Sequence, residues 1–144
     1  MRNIRHQDLV KIITLCSGVD FRGHDFNAMA YEFIPNGDLE GWFHTVQGNK
    51  HQQSRKLMLI ERPNVALDVA SALECLHQHR YMHIAHYNLK SSNVLLDNDM
   101  NALLGAFGLS RFLPEVTDCS QDRITSSRVK GSVGYLAPGD VSIC

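Results

Sequence analysis

Residues Asn64–His77 read NVALDVASALECLH, the strongest periodic segment of the chain. Val65, Ala66, Val69, Ala70, Leu73 and Leu76 recur at helical spacing and line one face of an amphipathic helix. Pro63 stands just before the pattern. Proline is tolerated in a first helical turn but costs about 3 kcal/mol in the interior, so the regular helix begins close to Pro63. A helix with one apolar stripe needs a partner to cover it. The other apolar runs are short and β-like. Val10–Cys16 (VKIITLC) and Ala28–Phe33 (AMAYEF) are suited to an antiparallel pair. Val94–Leu96 and Ala102–Leu104 flank DNDMN and read as a small hairpin. One long helix with a few short antiparallel strands predicts an α+β fold.

The connections carry turn chemistry. Ser17–Asn27 is a Gly- and Asp-bearing link, and Pro35-Asn36-Gly37-Asp38 is a turn whose Asp38 caps a short helix through His44. Thr45–Ser54 reads as a polar surface loop, Gln78–Ser92 as irregular, and the chain from Ser110 onward as mostly loop. The 144 residues amount to one domain or a piece of one. Hydrophobic content of 44% with 20% charged residues excludes wholesale disorder. A net charge of −1 argues against a general nucleic-acid or anionic-membrane binder. No apolar run approaches the ~20 residues of a membrane span, and the N-terminus lacks the apolar core of a secretory signal. Cys16, Cys75, Cys119 and Cys144 form no CxxC, which points to idle thiols in a reducing compartment.

Four segments occur in a telling order. His86 precedes Asn88-Leu89-Lys90-Ser91-Ser92-Asn93, the spacing of a protein-kinase catalytic loop, His-x-Asp-x-Lys-x-x-Asn. Gly105-Ala106-Phe107-Gly108-Leu109 stands in the place of Asp-Phe-Gly. Gly131-Ser132-Val133-Gly134-Tyr135-Leu136-Ala137-Pro138 resembles the segment ending in Ala-Pro-Glu. Tyr31-Glu32-Phe33-Ile34-Pro35-Asn36-Gly37-Asp38-Leu39 resembles a kinase hinge and the start of the next helix. The wording of YEFIPNGDLE, DVASALECLH and NLKSSNVLLDNDM resembles plant receptor-like serine/threonine kinases of the leucine-rich-repeat class.

That resemblance covers nearly the whole chain and implies a truncated protein-kinase-like fold, about half of a kinase domain. It assigns residues 1–36 to an N-lobe remnant and hinge, 37–105 to C-lobe helices, catalytic loop and hairpin, and 106–139 to the activation segment. The Gly-rich loop and the phosphate-binding lysine are expected before residue 1, and the later C-lobe helices after Cys144. It also implies ATP and Mg²⁺ as cofactors, a cytoplasmic location, and an intact kinase or receptor complex as partner, with no nucleic acid and no membrane span in this chain.

Carried over residue by residue, the resemblance implies a damaged site. Asn88 replaces the aspartate that accepts the substrate hydroxyl's proton, and a neutral amide is no such base. Lys90 matches the lysine beside the transferred phosphoryl group, and Asn93 the amide that binds one Mg²⁺. Ala106 replaces the main Mg²⁺ carboxylate with a methyl group. Gly139 replaces the glutamate of Ala-Pro-Glu, and Tyr87 replaces the arginine that answers phosphorylation in many kinases. His86 and Phe107, with Ile12 as a third candidate, match the hydrophobic spine. Leu95 matches the adenine floor, the backbone of Glu32 and Ile34 the hinge hydrogen bonds, and Tyr31 the gatekeeper. Nucleotide and metal binding are therefore expected to be weak or absent.

Plainer readings stand beside these. His77, His79, His83 and His86 fit no common zinc framework and read as helix-end and loop histidines. Gly131–Gly134 mimics a nucleic-acid GXXG clamp only superficially. Thr125, Ser126 and Ser127 are either phosphosites or a solvated loop, and Lys90 either keeps the site role or is a surface charge. Three functions compete: a phosphotransferase by descent, impaired or dead; a pseudokinase module that docks on or competes with an intact kinase; and a decayed, unstable fragment. The isolated chain is also expected to expose an apolar patch along Val65, Val69, Leu73 and Leu76 or their neighbours.

Overall fold

A computed structural model describes residues 4–44, 56–78, 83–113, 132, 134 and 135. In chain order these form strands β1 (Ile12–Val19) and β2 (Asp25–Tyr31), then helices α1 (Leu39–Phe43) and α2 (Glu61–His77). Strands β3 (His83–Ala85), β4 (Val94–Leu96), β5 (Ala102–Leu104) and β6 (Arg111–Leu113) follow. Single 3₁₀ turns cover Ser91–Asn93 and Phe107–Leu109.

β1 and β2 pair antiparallel from Ile12 opposite Tyr31 to Val19 opposite Asp25. Both strands lie nearer the turn than the apolar runs Val10–Cys16 and Ala28–Phe33 suggest. The turn explains the difference. Asp20 accepts backbone N–H bonds from Arg22 (2.8 Å) and His24 (2.9 Å), and Gly23 supplies a φ of 82°. This closes the hairpin at Asp20–His24, so much of the expected link Ser17–Asn27 is strand. Val10 is drawn off elsewhere: its N–H donates to the Leu104 carbonyl at 2.9 Å, while Leu104 N–H donates to the Asp8 carbonyl at 2.9 Å.

The helix runs Glu61–His77, with Pro63 in its first turn as the sequence predicts. Its core face is rotated from the expected one. Val65, Ala72 and Leu76 are buried, Val69 and Leu73 are partly buried, and Ala66 and Ala70 are exposed. The expected exposed patch therefore fails at Val65 and Leu76, which are 5% and 1% exposed because both pack into the core cluster; Leu67 is the exposed neighbour, at 67%. Asp68 fastens the two layers by accepting the Ala102 N–H at 2.8 Å. The β4/β5 hairpin is as the sequence predicts, with Val94, Leu95 and Leu96 opposite Leu104, Leu103 and Ala102.

That hairpin is the platform of the fold. Residues 8–10 run beside β5, and residues 36–38 run beside β4, where Leu96 N–H donates to the Gly37 carbonyl at 2.9 Å. Gly105 follows β5, and a Cβ there would meet Val10 Cγ2 at 3.2 Å, so glycine permits the close approach. Asp38 caps α1 by accepting the Gly41 N–H at 2.8 Å, and His44 ends that helix, both as expected. Two segments read as loop contain strands: β3, inside 78–92, pairs antiparallel with β6, just after Ser110. Thr45–Ser54, His79, Thr125–Ser127, Gly131, Gly139 and the cysteines Cys119 and Cys144 lie outside the described residues. Among the described residues no helix is long and apolar enough to cross a membrane.

Candidate functional site

The loop between β3 and β4 is organised by a buried histidine. His86 is 3% exposed, and its Nε2–H donates to the Gly105 carbonyl at 2.8 Å. Its Nδ1 accepts the Asn88 N–H at 3.3 Å, which fixes the neutral tautomer. The ring meets Phe107 edge-on at 5.5 Å, and Phe107 in turn lies 6.3 Å from the Tyr31 ring. Burial pushes the His86 imidazole below its ordinary range, since a charged ring there would lose water and gain no carboxylate. Ile12 is half-buried against the same core cluster. So the residues matched to a hydrophobic spine do meet across β1/β2, the loop and the segment after β5.

Around Asn88 the polar groups are mutually engaged. Asn93 Nδ2 donates to the Asn88 carbonyl at 2.6 Å, and Asn93 N–H to the Lys90 carbonyl at 3.0 Å. The Ser132 hydroxyl donates to Asn88 Oδ1 at 3.0 Å. Gly105 N–H donates to the Asn93 carbonyl at 2.9 Å, which sets Ala106 next to this cluster along the chain. Ala106 adopts a left-handed backbone, φ 61° and ψ 51°, and so does Tyr87 at φ 59°. Alanine offers no side-chain hydrogen bond to offset that conformation. Lys90 is half-buried and has no ion-pair partner among the described residues.

The hinge candidates come from a separate segment. Glu32 follows β2 and is tied to Lys11 both ways: its N–H donates to the Lys11 carbonyl at 3.1 Å, and its carboxylate accepts the Lys11 N–H at 2.8 Å. Among the described residues neither the Glu32 carbonyl nor the Ile34 N–H and carbonyl is hydrogen-bonded. Leu95, half-buried in β4, pairs with Asp38, so the hinge segment and Leu95 are linked through residues 36–38. The structure thus joins Asn88, Asn93, Lys90 and Ala106 in one loop cluster, with Glu32 and Ile34 on a second segment that residues 36–38 link to Leu95 of β4.

Ser132 and the pair Ser91–Tyr135 are additions that sequence reasoning passed over. The Ser91 and Tyr135 hydroxyls lie 2.8 Å apart, and Ser91 also donates to Glu40 at 3.4 Å. The Ser91–Tyr135 and Ser132–Asn88 links each span 44 residues, and no local spacing signals them. Of the four clustered histidines His77, His83 and His86 are described, and among the described residues no group of three His, Cys, Asp or Glu side chains could hold a metal. The Cys75 thiol is pushed up by burial and by the charge of Asp8, as suits an idle thiol.

A helix packed on a small hairpin, with a histidine-anchored loop facing a Gly-x-Phe-Gly turn, defines a kinase-type loop architecture. The family model for the protein kinase domain matches residues 1–142. The chain therefore belongs to the protein kinase domain family. Within that family it is similar to plant receptor kinases. It is 47% identical over 138 residues to receptor kinase-like protein Xa21 of Oryza sativa subsp. japonica, covering 96% of this chain and 13% of that protein. It is 42% identical over 139 residues to the LRR receptor-like serine/threonine-protein kinase EFR of Arabidopsis thaliana, covering 95% and 14%. The chain thus spans about a seventh of the length of these curated relatives.

Proposed function

We propose that this chain is a receptor-like kinase-family segment whose own site does not support phosphoryl transfer, and that it acts as a non-catalytic module docking on or competing with an intact relative. The observation that carries the reading is the pair Asn88 and Ala106, set in an otherwise kinase-like loop. Phosphoryl transfer needs a base for the substrate hydroxyl and hard oxygen ligands for Mg²⁺. Asn88 is a neutral amide whose oxygen already accepts the Ser132 hydroxyl. Ala106 offers a methyl group. Of the Asn88 and Asn93 amide oxygens, that of Asn93 has no hydrogen bond among the described residues. A divalent cation at such a site is held by one or two carboxylates besides phosphate and water, and one amide oxygen does not fit that need.

The adenine end is better preserved. Leu95 and the unengaged backbone groups of Glu32 and Ile34 suit a purine, so residual nucleotide affinity would come from the base rather than the phosphates. Loss of the base alone lowers the rate about 10²–10⁴-fold. Lost metal ligation removes several kcal/mol more of transition-state stabilisation, on the order used for Lewis-acid catalysis. By kinship with receptor kinases, we place the module inside the cell beside a receptor complex.

The test is label transfer from radiolabelled ATP, with Mg²⁺, to a generic protein substrate. This chain is expected to match a Lys90→Met control, and transfer above that control overturns the reading. Residues 86–109, transplanted into the kinase domain of an active receptor-like relative, are expected to silence it. Adding Asn88→Asp with Ala106→Asp to the transplant is expected to restore transfer. An active transplant without those reversions would show that the two substitutions are not the lesion.

A further inference from the structure

Asn36 and Gly37 are the one Asn-Gly pair of the chain. They lie in the turn that leads from β2 toward α1, and that turn is fastened to the β4/β5 hairpin. Asn36 N–H donates to the Leu96 carbonyl at 3.2 Å, and its side-chain Nδ2 donates to the Asp97 carbonyl at 2.6 Å. The Asn36 carbonyl accepts the Trp42 indole N–H at 3.0 Å. Gly37 is held on one side only. Its carbonyl accepts the Leu96 N–H at 2.9 Å, but its own N–H meets no acceptor among the described residues. Gly37 is exposed, its φ is 73°, and a Cβ built on it would meet nothing within 4 Å. With no side chain to shield it, that N–H is open to solvent base. A side-chain amide thus stands one residue before an unshielded, unengaged backbone nitrogen, and only the amide is tied down.

We propose that Asn36 is a site of spontaneous deamidation, gated by release of this turn from the β4/β5 hairpin. Solvent base takes the Gly37 amide proton, and the nitrogen attacks Asn36 Cγ to close a succinimide ring. The Cγ–Nδ2 bond breaks and ammonia leaves. Water then opens the ring at either carbonyl, giving aspartate or isoaspartate. Water is consumed and ammonia released, with nothing oxidised or reduced. While Nδ2 is bonded to the Asp97 carbonyl, the side chain is kept from the attacking nitrogen. The observed rate is therefore the rate in a free peptide multiplied by the fraction of time the turn is open. The product does not refasten the turn. An ionised carboxylate has no proton to give the Asp97 carbonyl and sets negative charge against its oxygen. Glu32 and Ile34 then lose the link that residues 36–38 make to Leu95, so the reaction is a slow, one-way release of the hinge segment.

The full chain is incubated at mildly alkaline pH, then digested and mapped by mass spectrometry, with isoaspartate scored by enzymatic methyl transfer. A synthetic peptide of residues 31–41 is the ungated reference. Deamidation should appear at Asn36 before any other described asparagine, at least about tenfold more slowly than in the peptide. In urea that unfolds the chain, the two rates should converge. Trp42→Phe removes the bond to the Asn36 carbonyl and should speed the reaction while circular dichroism shows the fold intact. The deamidated fraction, separated by anion exchange, should unfold at lower urea than the starting chain. The urea comparison needs no variant, so a Trp42→Phe chain that fails to fold leaves the question decidable. Absence of both products at residue 36, equal rates in the folded chain and the peptide, or a deamidated fraction as stable as the starting chain overturns the proposal.

Discussion

Ala106 shows how much one side chain alters at the residue scale. Its left-handed backbone is held between Gly105, fixed by His86, and the buried Phe107. Left-handed conformations cost an ordinary L-residue roughly 1–2 kcal/mol, less for asparagine and aspartate. Ala106→Asn is therefore expected to raise stability by about 0.5 kcal/mol, read as a higher urea midpoint. An unchanged or lower midpoint would mean that the strain is not there to relieve. His86 makes a pH prediction. Its folded-state imidazole titrates below the ordinary 6.5 because it is buried. The unfolded chain thus takes up a proton that the folded chain resists. The stability this represents is full above about pH 6.5 and is lost as pH falls below it toward the folded-state value. Urea midpoints at about pH 7.5 and about pH 5.5 should fall further for the native chain than for His86→Gln, which keeps a donor but cannot titrate. Equal falls would remove His86 from the account.

Elements here are secured by single polar ties as much as by area. Asp68 is the tie between α2 and β5, accepting the N–H of a fully buried Ala102. Asp68→Ala leaves that N–H without a partner and is expected to cost about 1–3 kcal/mol. Asp68→Asn retains an acceptor and should cost less, so the ordering of the two denaturation midpoints is the check. The helix itself was legible because its period is local: Pro63 and the apolar spacing place it correctly. Its buried face was less legible. Ala66 and Ala72 are identical residues, and only the position of the β4/β5 hairpin makes one exposed and the other buried. The β3/β6 pair was missed because its three-residue strands carry too few residues for a period, and they find each other across 25 intervening residues.

At the scale of the whole molecule, the β4/β5 hairpin gathers the chain: residues 8–10 lie on one edge, 36–38 on the other and α2 against it. Gly105 is where the N-terminal segment comes closest. Gly105→Ala would set a methyl 3.2 Å from Val10 Cγ2 and is expected to destabilise by about 1–3 kcal/mol. Val10→Ala in the same chain should recover part of that loss, and a double-mutant cycle showing no coupling would contradict the contact. The sequence alone determined the helix, both hairpins, the kinase-like order of motifs and the chemistry of Asn88 and Ala106. Period, turn residues and functional groups belong to neighbouring residues and need no fold to be read. Tertiary structure alone decided the left-handed Ala106, the Ser132–Asn88 bond, the rotated face of α2 and the fastening of Asn36 to the β4/β5 hairpin. Each depends on segments far apart in sequence, and what brings them together is burial shared by the whole core, which no local pattern encodes.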